Sequence, residues 1–163
     1  MTKCCENCEP CNSASKNCLN GWRTADSKVP NPWVALAARP ALKLLRAPIS
    51  EPGRYYDEDR SIVMRSGLMI VEERRHLWHE LVHSDRRDTA GHNSPAAERK
   101  VERIAVRLAV PTKTLQWATY RTDTIHDLAD LLKLPEDWVR FRWTSAPTWE
   151  RDLIRRQDPL YGE

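Results

Sequence analysis

Two histidines flank a glutamate in His79-Glu80-Leu81-Val82-His83, an H-E-x-x-H spacing preceded by Arg75-His76-Leu77-Trp78. On a helix, residues four apart share a face, one turn above the other. His79 and His83 can then offer two imidazole nitrogens to a single metal ion, with Glu80 beside it. Two neutral nitrogen ligands and a carboxylate that can take a proton from an activated water are the parts of a zinc peptidase. The chemistry expected is peptide-bond hydrolysis with Glu80 as the general base.

A catalytic zinc takes three protein ligands and keeps a fourth position for water. The metzincin solution, a third histidine shortly after a glycine, is absent, because His83 is followed by Ser84-Asp85-Arg86-Arg87. A second helix offers carboxylates instead, in Glu98-Arg99-Lys100-Val101-Glu102. Glu98 and Glu102 are four apart and share a face. One can bind the metal while the other hydrogen-bonds the outer nitrogen of a ligand histidine. His76 lies on nearly the same face as His79 and His83, but a fourth protein ligand would close the position water needs, so it is expected at the cleft edge. His92, Tyr55, Tyr56 and His126 are the candidates for stabilising the oxyanion.

These side chains need elements to hold them. Pro32 to Arg39 reads as a short helix, started by Pro32 and stopped by Pro40. Ala41 to Ala47 reads as a strand, Tyr55-Tyr56 as β-prone, and Ser61 to Arg65 as another strand, with Pro52-Gly53 and Ser66-Gly67 as turn signals. Val71 to Asp85 has helical spacing and carries the histidines, with Glu72 and Glu73 suited to its first turn. Ala96 to Val110 is a second helix, closed by Pro111. Thr124 to Lys133 and Glu136 to Trp143 follow as a helical pair broken at Leu134-Pro135. Trp78 and Trp117 are expected in packing roles.

The chain has 163 residues, 40% hydrophobic and 30% charged, which suits one folded domain with short appendages. A formal charge of +3 is too small to imply nucleic acid on its own. No apolar run approaches the roughly 20 residues of a membrane span, and the polar N-terminus is no signal peptide, so a cytoplasmic location is expected. All five cysteines, Cys4, Cys5, Cys8, Cys11 and Cys18, fall within the first 18 residues. Cys5, Cys8, Cys11 and Cys18 have the makings of a tetrathiolate knuckle for a second, structural Zn2+; a plain thiol-rich tail is the other reading. The divisions expected are a Cys-rich tail or linker at 1–31, a folded domain at 32–144 and a basic polar tail at 145–163.

The stretch Arg74 to His83, then Glu98-Arg99-Lys100-Val101-Glu102-Arg103-Ile104-Ala105 and Leu108-Ala109-Val110-Pro111, resembles the ImmA/IrrE family of metallopeptidases. That family shows an H-E-L-x-H helix followed by E-x-x-A-(D/N)-x-F-A and L-L-x-P. The likeness covers roughly Pro32 to Trp143 and is strongest to the short forms carried by phages and mobile elements. It implies an α+β, zincin-like fold: a short N-terminal β-sheet, an H-E-x-x-H helix, a second ligand helix and a helical C-terminal segment. It also implies Zn2+ on His79, His83 and Glu98, with Glu102 behind a ligand histidine. Val101, Ile104 and Glu102 depart from the family's Ala, Phe and Asp/Asn, and the longer Glu102 stays a rival for the third ligand.

The function expected is a zinc-dependent endopeptidase in a bacterial host cell, its protein substrate a helix-turn-helix repressor by analogy with the family. A second reading comes from Asp127 to Arg140, which resembles a helix-turn-helix itself, with Arg140 and Arg142 placed to meet phosphates. On that reading the chain is a DNA-binding regulator with a structural zinc fold. Asp127, Asp130, Glu136 and Asp137 count against it by repelling a polyanion.

Overall fold

The computed structural model of the protein describes residues 29–88 and 94–155. Within them the fold is α+β, a three-stranded sheet with seven helices. Helix α1 (Pro32–Ala37) starts where the Asn31 side chain accepts from the Trp33 N–H, with Pro32 at its first position. Strands β1 (Lys43–Ala47), β2 (Gly53–Tyr56) and β3 (Ser61–Arg65) follow in the order β1-β3-β2. The central strand β3 runs parallel to β1 and antiparallel to β2, with Tyr55 opposite Ile62 and Gly53 opposite Met64. Ile62 and Met64 are fully buried, as expected for the apolar positions of a central strand.

Helix α2 (Ile70–Arg86) lies across β2 and β3 and presents Leu77 and Leu81 to the core. Glu72 and Glu73 sit in its first turn, and Arg87 ends it in a left-handed conformation. Helix α3 (Pro95–Ala109) is capped by the Ser94 hydroxyl and packs along α2 through Val101, Ala105 and Val106. Helix α4 (Thr112–Thr119) follows at once, then the pair α5 (Ile125–Leu132) and α6 (Glu136–Thr144), joined through a left-handed Lys133. Helix α6 packs on both α3 and α5.

Helix α3 ends just before Pro111, as expected, and Pro111 also stands at the N-cap of α4, a helix not expected, where its missing N–H costs nothing. One expectation is corrected here: residues 145–155 are not a basic polar tail. Helix α7 (Thr148–Arg155) packs against α4, with Ile154 in the core. Its Glu150 is buried in an ion pair with Arg142 and accepts from the Thr112 hydroxyl at 2.6 Å. The pairing could not be read from the chain, because Arg142 and Glu150 belong to different helices and each alone looks like surface.

Among the described residues, no helix is long and apolar enough to cross a membrane. Cys5, Cys8, Cys11 and Cys18, and with them the expected knuckle, lie outside the described residues, as does His92.

Candidate metal centre

Helix α2 places His79 and His83 on one face and Glu80 on the flank turned to the sheet. Helix α3 supplies Glu98 from its first turn. His79 Nε2 and His83 Nε2 are 3.1 Å apart, and the Glu98 carboxylate lies 3.0 Å from the first and 3.5 Å from the second. Ligand atoms at the corners of a tetrahedron about a first-row metal, with bonds of about 2.1 Å, are about 3.4 Å from one another. The three side chains therefore have the spacing of a metal-binding group, and His79, His83 and Glu98 form such a group among the described residues.

The outer nitrogens set how the two imidazoles face the group. His83 Nδ1 faces the carbonyl oxygen of Asp88 at 3.1 Å. A carbonyl only accepts, so that nitrogen carries the proton and Nε2 is left with a lone pair. His79 Nδ1 faces Glu102 Oε2 at 2.8 Å, which fixes the same tautomer. Two lone pairs and a carboxylate thus converge within one small volume. For His79, burial alone lowers the pKa, but the bond to Glu102 and the charges of Glu80, Glu102 and Glu98 outweigh it and raise it. The site draws positive charge, from a proton or from a metal.

Glu102 is not part of this group. Its Oε2 is on the outer side of His79, and its Oε1 accepts from the Trp138 indole at 2.6 Å and from Arg75 at 3.1 Å. Burial raises its pKa, but His79, Arg75 and Trp138 more than reverse this and hold it below the usual range. It stays an anion behind His79.

Glu80 is 2% exposed. Burial, with some repulsion from Glu98, pushes its pKa up to about 7, against the pull of His79, Arg54 and the backbone N–H of Tyr55. A carboxyl at that value can both take and return a proton near neutrality. Gly53 makes its placement possible. A Cβ there would stand 2.9 Å from Met64 Sδ and 3.2 Å from Glu80 Cγ. The chain alone shows Gly53 only as a turn signal; its close approach depends on β2 lying over α2.

The group opens into a cleft of ≈ 400 Å³ between the approach to β2, at Glu51 to Gly53, and the two ligand helices. β2 pairs only with β3, so no strand covers its outer edge among the described residues; the Tyr55 N–H on that edge meets Glu80. His76 lines the cleft and lies outside the group of His79, His83 and Glu98. Burial, then Arg75 and His79, lower its pKa to about 4, leaving a neutral imidazole at pH 7.

Of the expected oxyanion donors, Tyr55, Tyr56 and His126 do not line the cleft. Tyr55 is buried and donates to Asp57 at 2.5 Å, Tyr56 is exposed, and His126 is exposed on α5 beside Asp130 and Glu136. Arg99, missed because it reads as an ordinary surface residue, lines the cleft beside Glu98.

The helix-turn-helix reading loses one of its two contact residues, Arg142, while Arg140 stays exposed. Arg142 is buried, donating to the Val110 carbonyl at 2.7 Å and paired with Glu150. Asp137 pairs with Arg75 at 2.9 Å, and Arg140 with Glu136 at 2.6 Å. In the first turn of α6, Trp138 is turned inward and donates to Glu102, while Asp137 is exposed and Glu136 partly so.

Comparison of the chain with family models, with curated proteins and with solved structures gives no match.

Proposed function

We propose that the chain is a zinc-dependent endopeptidase with a zincin-like catalytic domain, the reading its resemblance to ImmA/IrrE metallopeptidases also implies. The observation that carries it is the convergence of His79 Nε2, His83 Nε2 and Glu98 beside the buried carboxylate of Glu80. Two imidazoles and one carboxylate at tetrahedral spacing suit the borderline-soft Zn2+ better than the harder Mg2+ or Ca2+, which favour more oxygen ligands. When bound, zinc supplies Lewis acidity that brings the pKa of its water to about 7.

The chain's own residues do the rest. His79 and His83 are held in one tautomer by Glu102 and the Asp88 carbonyl, so neither needs to reorient to ligate. Glu80 takes the proton of the attacking water and passes it to the departing amine. Its burial keeps the proton within the site between the two transfers. The outer edge of β2 at Gly53, beside the cleft and covered by no strand among the described residues, can take an extended peptide by main-chain hydrogen bonding, so that a scissile bond would lie over the group. His76 and Arg99 are the cleft donors available to a developing oxyanion.

The substrate proposed is a protein, a helix-turn-helix repressor of a phage or mobile element. Incubation with candidate repressors, followed by mass spectrometry, should give discrete fragments with the wild-type chain and none with Glu80→Gln. Equal cleavage by both chains would remove Glu80 from the mechanism.

A further inference from the structure

Helix α6 contributes nothing to the lining of the cleft, yet its first turn reaches the proposed metal group through one half-buried carboxylate, Glu102. Glu102 has three side-chain torsions, and by itself would not hold one oxygen on His79. Its Oε1 is anchored by two donors, the Trp138 Nε1–H at 2.6 Å and Arg75 Nη2 at 3.1 Å. With that oxygen held, Oε2 is directed onto His79 Nδ1 at 2.8 Å.

The two donors are themselves tied together. The Arg75 guanidinium lies 6.0 Å over the Trp138 ring and pairs with Asp137 at 2.9 Å, so it also depends on the first turn of α6. Trp138 is 1% exposed, and its position is set by the turn through left-handed Lys133 and by the Pro135 N-cap. The indole is thus rigid, buried and uncharged, with its single N–H on the carboxylate behind a ligand. Core filling alone would not require that N–H to meet Glu102.

We infer that Trp138 is a positioning residue for the metal centre: by holding Glu102, it fixes the ring of His79 with Nε2 toward Glu98 and His83. The inference rests on the proposed metal site and extends it to a helix outside the cleft. It makes the α5–α6 pair a determinant of metal affinity. A change that moves the first turn of α6 loosens His79 without touching a ligand.

The test is zinc affinity of the full chain by chelator competition, with His79→Ala reporting any zinc held elsewhere in the molecule. Trp138→Phe keeps an aromatic ring and removes the N–H, and should weaken the His79-dependent zinc by about tenfold or more. In a Glu102→Ala background the same substitution should change affinity less than about twofold, because the route through Glu102 is already cut. Unchanged affinity in Trp138→Phe would overturn the inference, and so would a loss that adds in full to that of Glu102→Ala. No His79-dependent zinc in the wild-type chain would overturn the metal-site reading itself.

A measurement on the indole N–H signals needs no Trp138 variant, should Trp138→Phe not fold. The wild-type chain should show one indole proton shifted downfield by its carboxylate partner, moving when zinc is added and lost in Glu102→Ala. Indole signals that are the same in wild type and Glu102→Ala would overturn the inference independently.

Discussion

Glu80 and Gly53 show how much of the proposed chemistry rests on single side chains. Glu80→Gln keeps shape and burial but cannot hold the proton, so turnover should fall by about 10²- to 10⁴-fold with zinc content unchanged. Elemental analysis beside an activity assay checks both halves of that statement. Gly53→Ala should act by crowding. The new Cβ meets Met64 Sδ and the stem of Glu80, so thermal unfolding should show a loss of about 1–3 kcal/mol. Activity should fall with it while zinc stays bound, since no ligand is displaced. His79, Glu80 and His83 were legible from spacing, because a helix turns any i, i+4 pair into neighbours. The choice between Glu98 and Glu102 was not, since both share a face of α3. What separates them is the register of α3 on α2 and the indole of Trp138, neither of which is a local property of the chain.

At the scale of elements, β3, α2, α3 and the α5–α6 pair stand within a residue or two of where the hydrophobic spacing places them. The Ser94 and Thr124 hydroxyls cap α3 and α5, and Glu72 and Glu73 stand in the first turn of α2. Helices α4 and α7 were not visible. They are eight residues each, and what stabilises them lies elsewhere in the chain. Glu150 joins α7 to α6 through Arg142 and to α4 through Thr112. Burial raises the pKa of Glu150, but Arg142 and Thr112 outweigh it and hold it below 4.5. A depressed folded-state value means the carboxylate's contribution is fully present above the unfolded value near 4.5, and is lost as pH falls through the lower, folded value. Glu150→Gln leaves Arg142 buried without its counter-charge, and should cost about 3–5 kcal/mol near neutral pH. The gap between the two chains should narrow in acid. Thermal unfolding from pH 7 down to pH 3 checks this; a gap that widens in acid would contradict the pairing.

The whole molecule joins a sheet, two ligand helices and a set of C-terminal helices so that three electron-rich groups converge beside a buried acid. Without a cation, that convergence is unfavourable. Zinc should therefore stabilise the fold, by about 4 kcal/mol at a thousandfold excess over its Kd, and a chelator should lower Tm in the wild-type chain but not in His79→Ala. The measurement that bears most directly on the account is zinc content by elemental analysis of the full chain beside its His79→Ala and Glu98→Ala variants. The account predicts about one more zinc per chain in the wild type than in either variant. Equal zinc in all three chains would contradict it, because the convergence of His79, His83 and Glu98 would then hold no metal.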